Sequence, residues 1–87
     1  MKVEVLAFAW AKDAIGGDRL QVEVPEGTTV EGMLRHLAQS CPRLAQRTDA
    51  LTIAVNEEFV DPQWVLKAGD EVALIPPISG GSRVSDL

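Results

Sequence analysis

Short stretches of this chain alternate apolar and polar residues with a period of two, and one longer stretch repeats near 3.6. Lys2-Val-Glu-Val-Leu-Ala-Phe-Ala-Trp10 starts in alternation and then turns apolar throughout, as a strand does when it becomes covered on both faces. Gly16-Gly17 marks a turn, and Arg19-Leu-Gln-Val-Glu-Val24 then alternates strictly, so the two segments are expected to pair antiparallel across a short loop. Thr28 and Glu31 have capping-box spacing. From there Val30, Met33, Leu34, Leu37, Ala38 and Cys41 form one apolar helical stripe, with Glu31, Arg35 and Gln39 facing away and Pro42 ending the helix. Gly32 inside that helix is expected to permit a close approach to the sheet. Leu51 to Asn56 alternates again, Asn56-Glu57-Glu58 turns the chain into a short Phe59-Val60 strand, Asp61-Pro62 breaks it, and Glu71 to Ile75 is a last strand before Pro76-Pro77. The order β-β-α-β-β-β, with one main helix on a mixed sheet of about five strands, predicts a two-layer α+β domain over residues 1–75.

Composition narrows the class. Eighty-seven residues suffice for one small domain and exclude a deep two-domain cleft, while 46% apolar and 24% charged residues describe a chain that folds. No apolar run approaches a membrane span and the charged start is unlike a signal peptide, so the chain reads as soluble and cytoplasmic. One cysteine and one histidine exclude an internal disulfide and a Cys/His zinc cluster, and no bound metal or cofactor is expected. The net charge of −5 argues against nucleic acid. All of that surplus lies between Thr48 and Ile75, where six acids face Lys67 alone, and it is expected to form an acidic patch near the C-terminal end.

Conventional catalytic equipment is sparse. His36 lies off the apolar stripe without a sequence-evident partner and reads as a surface residue, and Cys41 as a small hydrophobe at the helix end. Asp70 and Glu71, adjacent on a strand, point to opposite faces and cannot share acid–base work. Trp10 and Trp64 read as core or edge packing.

The end of the chain stands apart. Pro76 and Pro77 remove two backbone donors, so the segment Pro76-Pro77-Ile78-Ser79-Gly80-Gly81 is expected to leave the sheet extended, reaching up to about 20 Å at roughly 3.3 Å per residue. Ile78 offers an apolar anchor, and the two glycines fit a slot too narrow for other residues. Together, Leu66-Lys-Ala-Gly-Asp-Glu-Val-Ala-Leu-Ile-Pro-Pro-Ile-Ser-Gly-Gly81 resembles the C-terminal signature of the MoaD family, the small sulfur-carrier subunits of molybdopterin synthase, and the resemblance covers nearly all of residues 1–81. The related thiamine-pathway carrier ThiS also ends in Gly-Gly but is less similar.

The resemblance implies a β-grasp, ubiquitin-like fold and a reactive group that is the chain's own terminal carboxyl. Gly81 would be adenylated by a MoeB-like activating enzyme using ATP, then converted to a thiocarboxylate that serves molybdenum cofactor biosynthesis. A MoaE-like large subunit, in a heterotetramer, would supply the pterin site. Pro76, Pro77, Ile78, Ser79, Gly80 and the Phe59 hairpin are the expected partner contacts.

The chain departs from the family at one point. It continues Ser82-Arg-Val-Ser-Asp-Leu87, so Gly81 ends in an amide with no carboxylate to activate. Trimming by a protease after Gly81, a permanent block, and a vector-derived remnant each account for residues 82–87, and trimming is the reading adopted. The competing function is a β-grasp protein-binding or modifier module without sulfur transfer.

Overall fold

In a computed structural model, described here for residues 1–76, nine elements follow one another. They are β1 (Lys2–Ala7), α1 (Trp10–Ile15), β2 (Arg19–Glu23), α2 (Val30–Ser40), α3 (Pro42–Ala45), a 3-10 turn (Thr48–Ala50), β3 (Thr52–Val55), β4 (Glu58–Phe59) and β5 (Glu71–Ile75). The five strands form one sheet in the order β2-β1-β5-β3-β4, in which β1 and β5 are parallel and the other pairs antiparallel. This is the expected α+β, mixed-sheet architecture of the β-grasp fold. Val3, Val5, Val72, Leu74, Ile53 and Val55 point from the sheet to the helical side, where Val30, Met33 and Leu37 of α2 and Leu44 of α3 complete the core.

The expected stripe on α2 is observed, with Val30, Met33 and Leu37 buried and Leu34, Ala38 and Cys41 half-buried. Its cap lies one residue later than expected. Thr29 is the N-cap, its Oγ1 accepting from Gly32 N at 3.1 Å, while Thr28 Oγ1 donates to Pro25 O. The next donors are taken by a distant loop, Val30 N by Trp64 O and Glu31 N by Pro62 O, both at 2.9 Å. Helix-start N–H groups need acceptors, and here the chain segment after β4 supplies them. Gly32 is also pressed close, though to its own cap: a Cβ there would lie 3.2 Å from Thr28 Cγ2 rather than against the sheet.

Two further differences concern the β1–β2 connection and the β3–β4 hairpin. β1 stops at Ala7, because Ala9 turns the chain at φ 52° and Trp10 opens α1. Trp10, expected within the first strand, lies with Ala11, Ala14 and Ile15 on the inner side of this short helix. Gly16, at φ 85°, closes it, donating its N–H to Lys12 O, so Gly16-Gly17 is a helix stop rather than a hairpin turn. The β3–β4 turn is tighter than expected, with Asn56 and Glu57 alone at its tip, both at positive φ, so β4 begins at Glu58. Pro42, which ends α2, also opens α3.

Candidate functional site

β5 occupies the middle of the sheet and runs directly into the C-terminal segment. Pro76, the last described residue, is buried where the strand ends. Pro77, Ile78, Ser79, Gly80 and Gly81, expected as tail and reactive end, lie outside the described residues, as do residues 82–87.

What the structure does describe is the surface around that exit. The helices cover one face of the sheet and the other is open. Across the open face one row of aligned positions reads Leu6 on β1, Ala73 on β5, Ala54 on β3 and Phe59 on β4. Polar residues flank the row: Glu4 and Glu71 toward the start of β5, Thr52 toward its end. Ala54 is only 6% exposed, although it lies on the open face, whereas Phe59 is 75% exposed. Phe8 continues the apolar surface at the exit end, 47% exposed, lining a shallow cavity of about 310 Å³ with Leu6, Lys12 and Arg19. Aromatic side chains presented this openly on the face beside β5 make it a candidate docking face.

Phe59, expected as a partner contact, is exposed on this face. Leu6, Phe8, Ala54 and Ala73 were not expected there. Their signal is present in the sequence, since the later outward positions, Leu6 on β1 and Ala73 and Ile75 on β5, are apolar. On the first strand that pattern reads as coverage on both faces farther along.

The other candidates fall away from this surface. His36 is exposed on α2, and Cys41 is half-buried at the α2–α3 junction. Trp10 is half-buried beneath the Arg47 guanidinium, 4.1 Å from the ring centroid, a packing contact between α1 and the segment after α3. Trp64, expected as packing, is 44% exposed. Asp70 ties two turns together: its carboxylate accepts from Lys67 N at 2.8 Å and from Asn56 Nδ2 at 3.0 Å. The expected acidic patch near the exit is displaced. Glu57, Glu58, Asp70 and Glu71 sit at the end of the sheet where β5 begins, because the β3–β4 turn and the turn before β5 both lie there. Among the described residues no group of three or more His, Cys, Asp or Glu is placed to hold a metal, and no helix is long and apolar enough to cross a membrane.

Comparison with known proteins places this arrangement. The ThiS family profile matches residues 5–81. The molybdopterin synthase sulfur carrier subunit of Mycobacterium tuberculosis is 39% identical over 82 residues, covering 93% of this chain and 99% of that protein. Among solved structures, SAMP1 of Haloferax volcanii, a small archaeal modifier protein, is 30% identical with a TM-score of 0.85, covering 93% of this chain and all of its own. A chain in the complex of subunits 1 and 2 of the Helicobacter pylori molybdopterin-converting factor is 27% identical with a TM-score of 0.67, over 93% of this chain and all of that one. With a family profile spanning most of its length and a relative of 39% identity matched almost end to end, the chain belongs to the MoaD/ThiS family.

Proposed function

We propose that this protein is the sulfur carrier subunit of a molybdopterin synthase, working through the carboxyl of Gly81 after residues 82–87 are removed. The observation that carries this reading is the extent of the family match, which stops at Gly81 although six residues follow. The sheet supports it, since its central strand leads into Pro76 beside an exposed apolar face.

The chemistry follows from the end group. A protease hydrolyses the Gly81–Ser82 amide and frees the carboxylate. That carboxylate attacks the α-phosphorus of ATP in a MoeB-like activating enzyme, releasing pyrophosphate and leaving an acyl adenylate. Hydrosulfide then displaces AMP and leaves the thiocarboxylate, whose sulfur passes to a pterin precursor in the large subunit while water returns the carboxylate. The domain contributes position and the partner contributes the catalytic pocket. Gly80 and Gly81 keep the approach narrow.

The experiment that tests this is the intact mass of the protein isolated from its own cells. Loss of Ser82 to Leu87, with sulfur replacing one oxygen on Gly81, is the expected result. An untrimmed, unmodified chain that still engages the large subunit would refute the proposal.

Phe59 gives a second handle. Burying an exposed Phe side chain contributes roughly 1.5–3 kcal/mol. Phe59→Ala is expected to weaken binding to the large subunit by about ten- to a hundredfold, measured by calorimetry, with little change in melting temperature.

The likeness to the Haloferax modifier favours one alternative, a protein modifier that uses the same activated Gly81 to form an isopeptide bond. A ladder of covalent conjugates on lysines, without any thiocarboxylate form, would favour that reading over sulfur transfer.

A further inference from the structure

β2 is an outer strand of the sheet and uses only one side of its backbone. Val24 N donates to Met1 O at 2.9 Å and the Met1 amino group donates to Val24 O at 2.8 Å. At the other end of the ladder, Ala7 N donates to Asp18 O at 2.9 Å. An antiparallel ladder alternates, so Leu20 and Val22 direct their N–H and C=O groups to β1, while those of Arg19, Gln21 and Glu23 point away from the sheet. Among the described residues no hydrogen bond engages these outward groups.

The side chains along this edge carry their own symmetry. Laid antiparallel on a second copy about Gln21, Arg19-Leu-Gln-Val-Glu23 sets Arg19 opposite the second copy's Glu23, Leu20 opposite Val22, and Gln21 opposite itself. The backbone phase agrees with this register, because the residues that meet at the charged and central positions are those with outward N–H and C=O groups, and each such pair exchanges two hydrogen bonds. The charges are available: the Arg19 side chain is 60% exposed and that of Glu23 70%. Their existing partners extend the alternation of sign, since Arg19 contacts Glu4 at 2.9 Å and Glu23 lies 3.7 Å from the N-terminal ammonium.

We propose that β2 is a self-association edge through which two copies of this chain pair about a twofold axis at Gln21, joining their sheets into one. Edge strands are commonly blunted by charge. On this edge the two signs are spaced so that a twofold copy is attracted and no like charges meet. The edge lies across the sheet from β4 and Phe59, with β5 between them, so pairing leaves Phe59 and the end of β5 free, while Arg19, which also lines the shallow cavity beside Phe8, is engaged by it. The twofold reverses strand direction, and the two C-terminal segments leave at opposite ends. A contact confined to one strand is smaller than the roughly 1,200–2,000 Å² of stable complexes, so the dimer is weak, dissociating at about 10–1,000 μM.

Sedimentation equilibrium of the full chain from about 10 μM to about 1 mM tests this. The expected result is an average mass rising from monomer toward dimer, and less so in about 1 M salt. Arg19→Glu and Glu23→Arg, each placing like charges opposite one another at both ends of the pair, are expected to weaken association about tenfold or more. The two variants carry opposite charge at both positions, so their equimolar mixture associates again as a heterodimer. A chain that stays monomeric throughout, a dimer indifferent to salt and to both substitutions, or a mixture that fails to associate would overturn the proposal.

Discussion

Ending the chain at Gly81 is expected to switch on adenylation by the activating enzyme, with the full chain showing no transfer of AMP above background. The proposed reaction begins with a carboxylate oxygen attacking phosphorus, and in the full chain that oxygen is absent. The Gly81 carbonyl is there an amide to Ser82, whose nitrogen lone pair is delocalised into the C–N bond. The effect is therefore one of presence or absence rather than of affinity. A radiolabel or pyrophosphate-exchange assay with matched concentrations of the two chains measures it. Equal exchange with both would show that residues 82–87 are no barrier, and the proposed trimming step would fall.

Leu74→Ala is expected to be the most damaging single core substitution. Leu74 is fully buried at 0% exposure, in the strand that pairs with both β1 and β3. Emptying such a site costs about 2–5 kcal/mol, because the lost transfer energy is joined by that of an unfilled cavity. A domain of this size holds roughly 5–10 kcal/mol in all. At about 4–8 °C per kcal/mol, the melting temperature should drop by about 8 °C or more, measured by circular dichroism. Ala73→Ser, on the open face next door, should move it by only a few degrees. A small effect at Leu74 would mean that the central strand is not the anchor its burial indicates.

The elements that were legible in the sequence are those whose pattern is set locally. Leu20, Val22 and Val24 alternate because one face of β2 is buried, and the α2 stripe from Val30 to Cys41 repeats because one side of the helix is. What was hidden depends on distant chain. Thr28 and Thr29 are both capable caps, and the choice is made by Trp64 and Pro62, whose carbonyls meet the helix start from thirty residues away. α1 was concealed for another reason. The apolar run from Leu6 to Ala11 carries no polar break, and the turn rests on a positive φ at Ala9, a residue without the usual preference for it.

The candidate site divides in the same way. The Pro-Pro-Ile-Ser-Gly-Gly segment is legible because each residue type removes a possibility: a ladder bond at the prolines, a side chain at the glycines. Phe59 stood out as an aromatic in a short hairpin. The row that joins it to Leu6 is a property of strand order, since Leu6 and Phe59 are fifty-three positions apart and are aligned only because β5 and β3 lie between β1 and β4.

The central position of β5 has a mechanical consequence. A partner that draws in the C-terminal segment pulls on the chain at Pro76, along the axis of β5. That strand is bonded on one side to parallel β1 and on the other to antiparallel β3, so the load falls across both ladders together, in shear. An edge strand such as β4 would peel away one bond at a time. On the proposed function, the handle that a partner would grip is thus fastened to the part of the sheet that yields last.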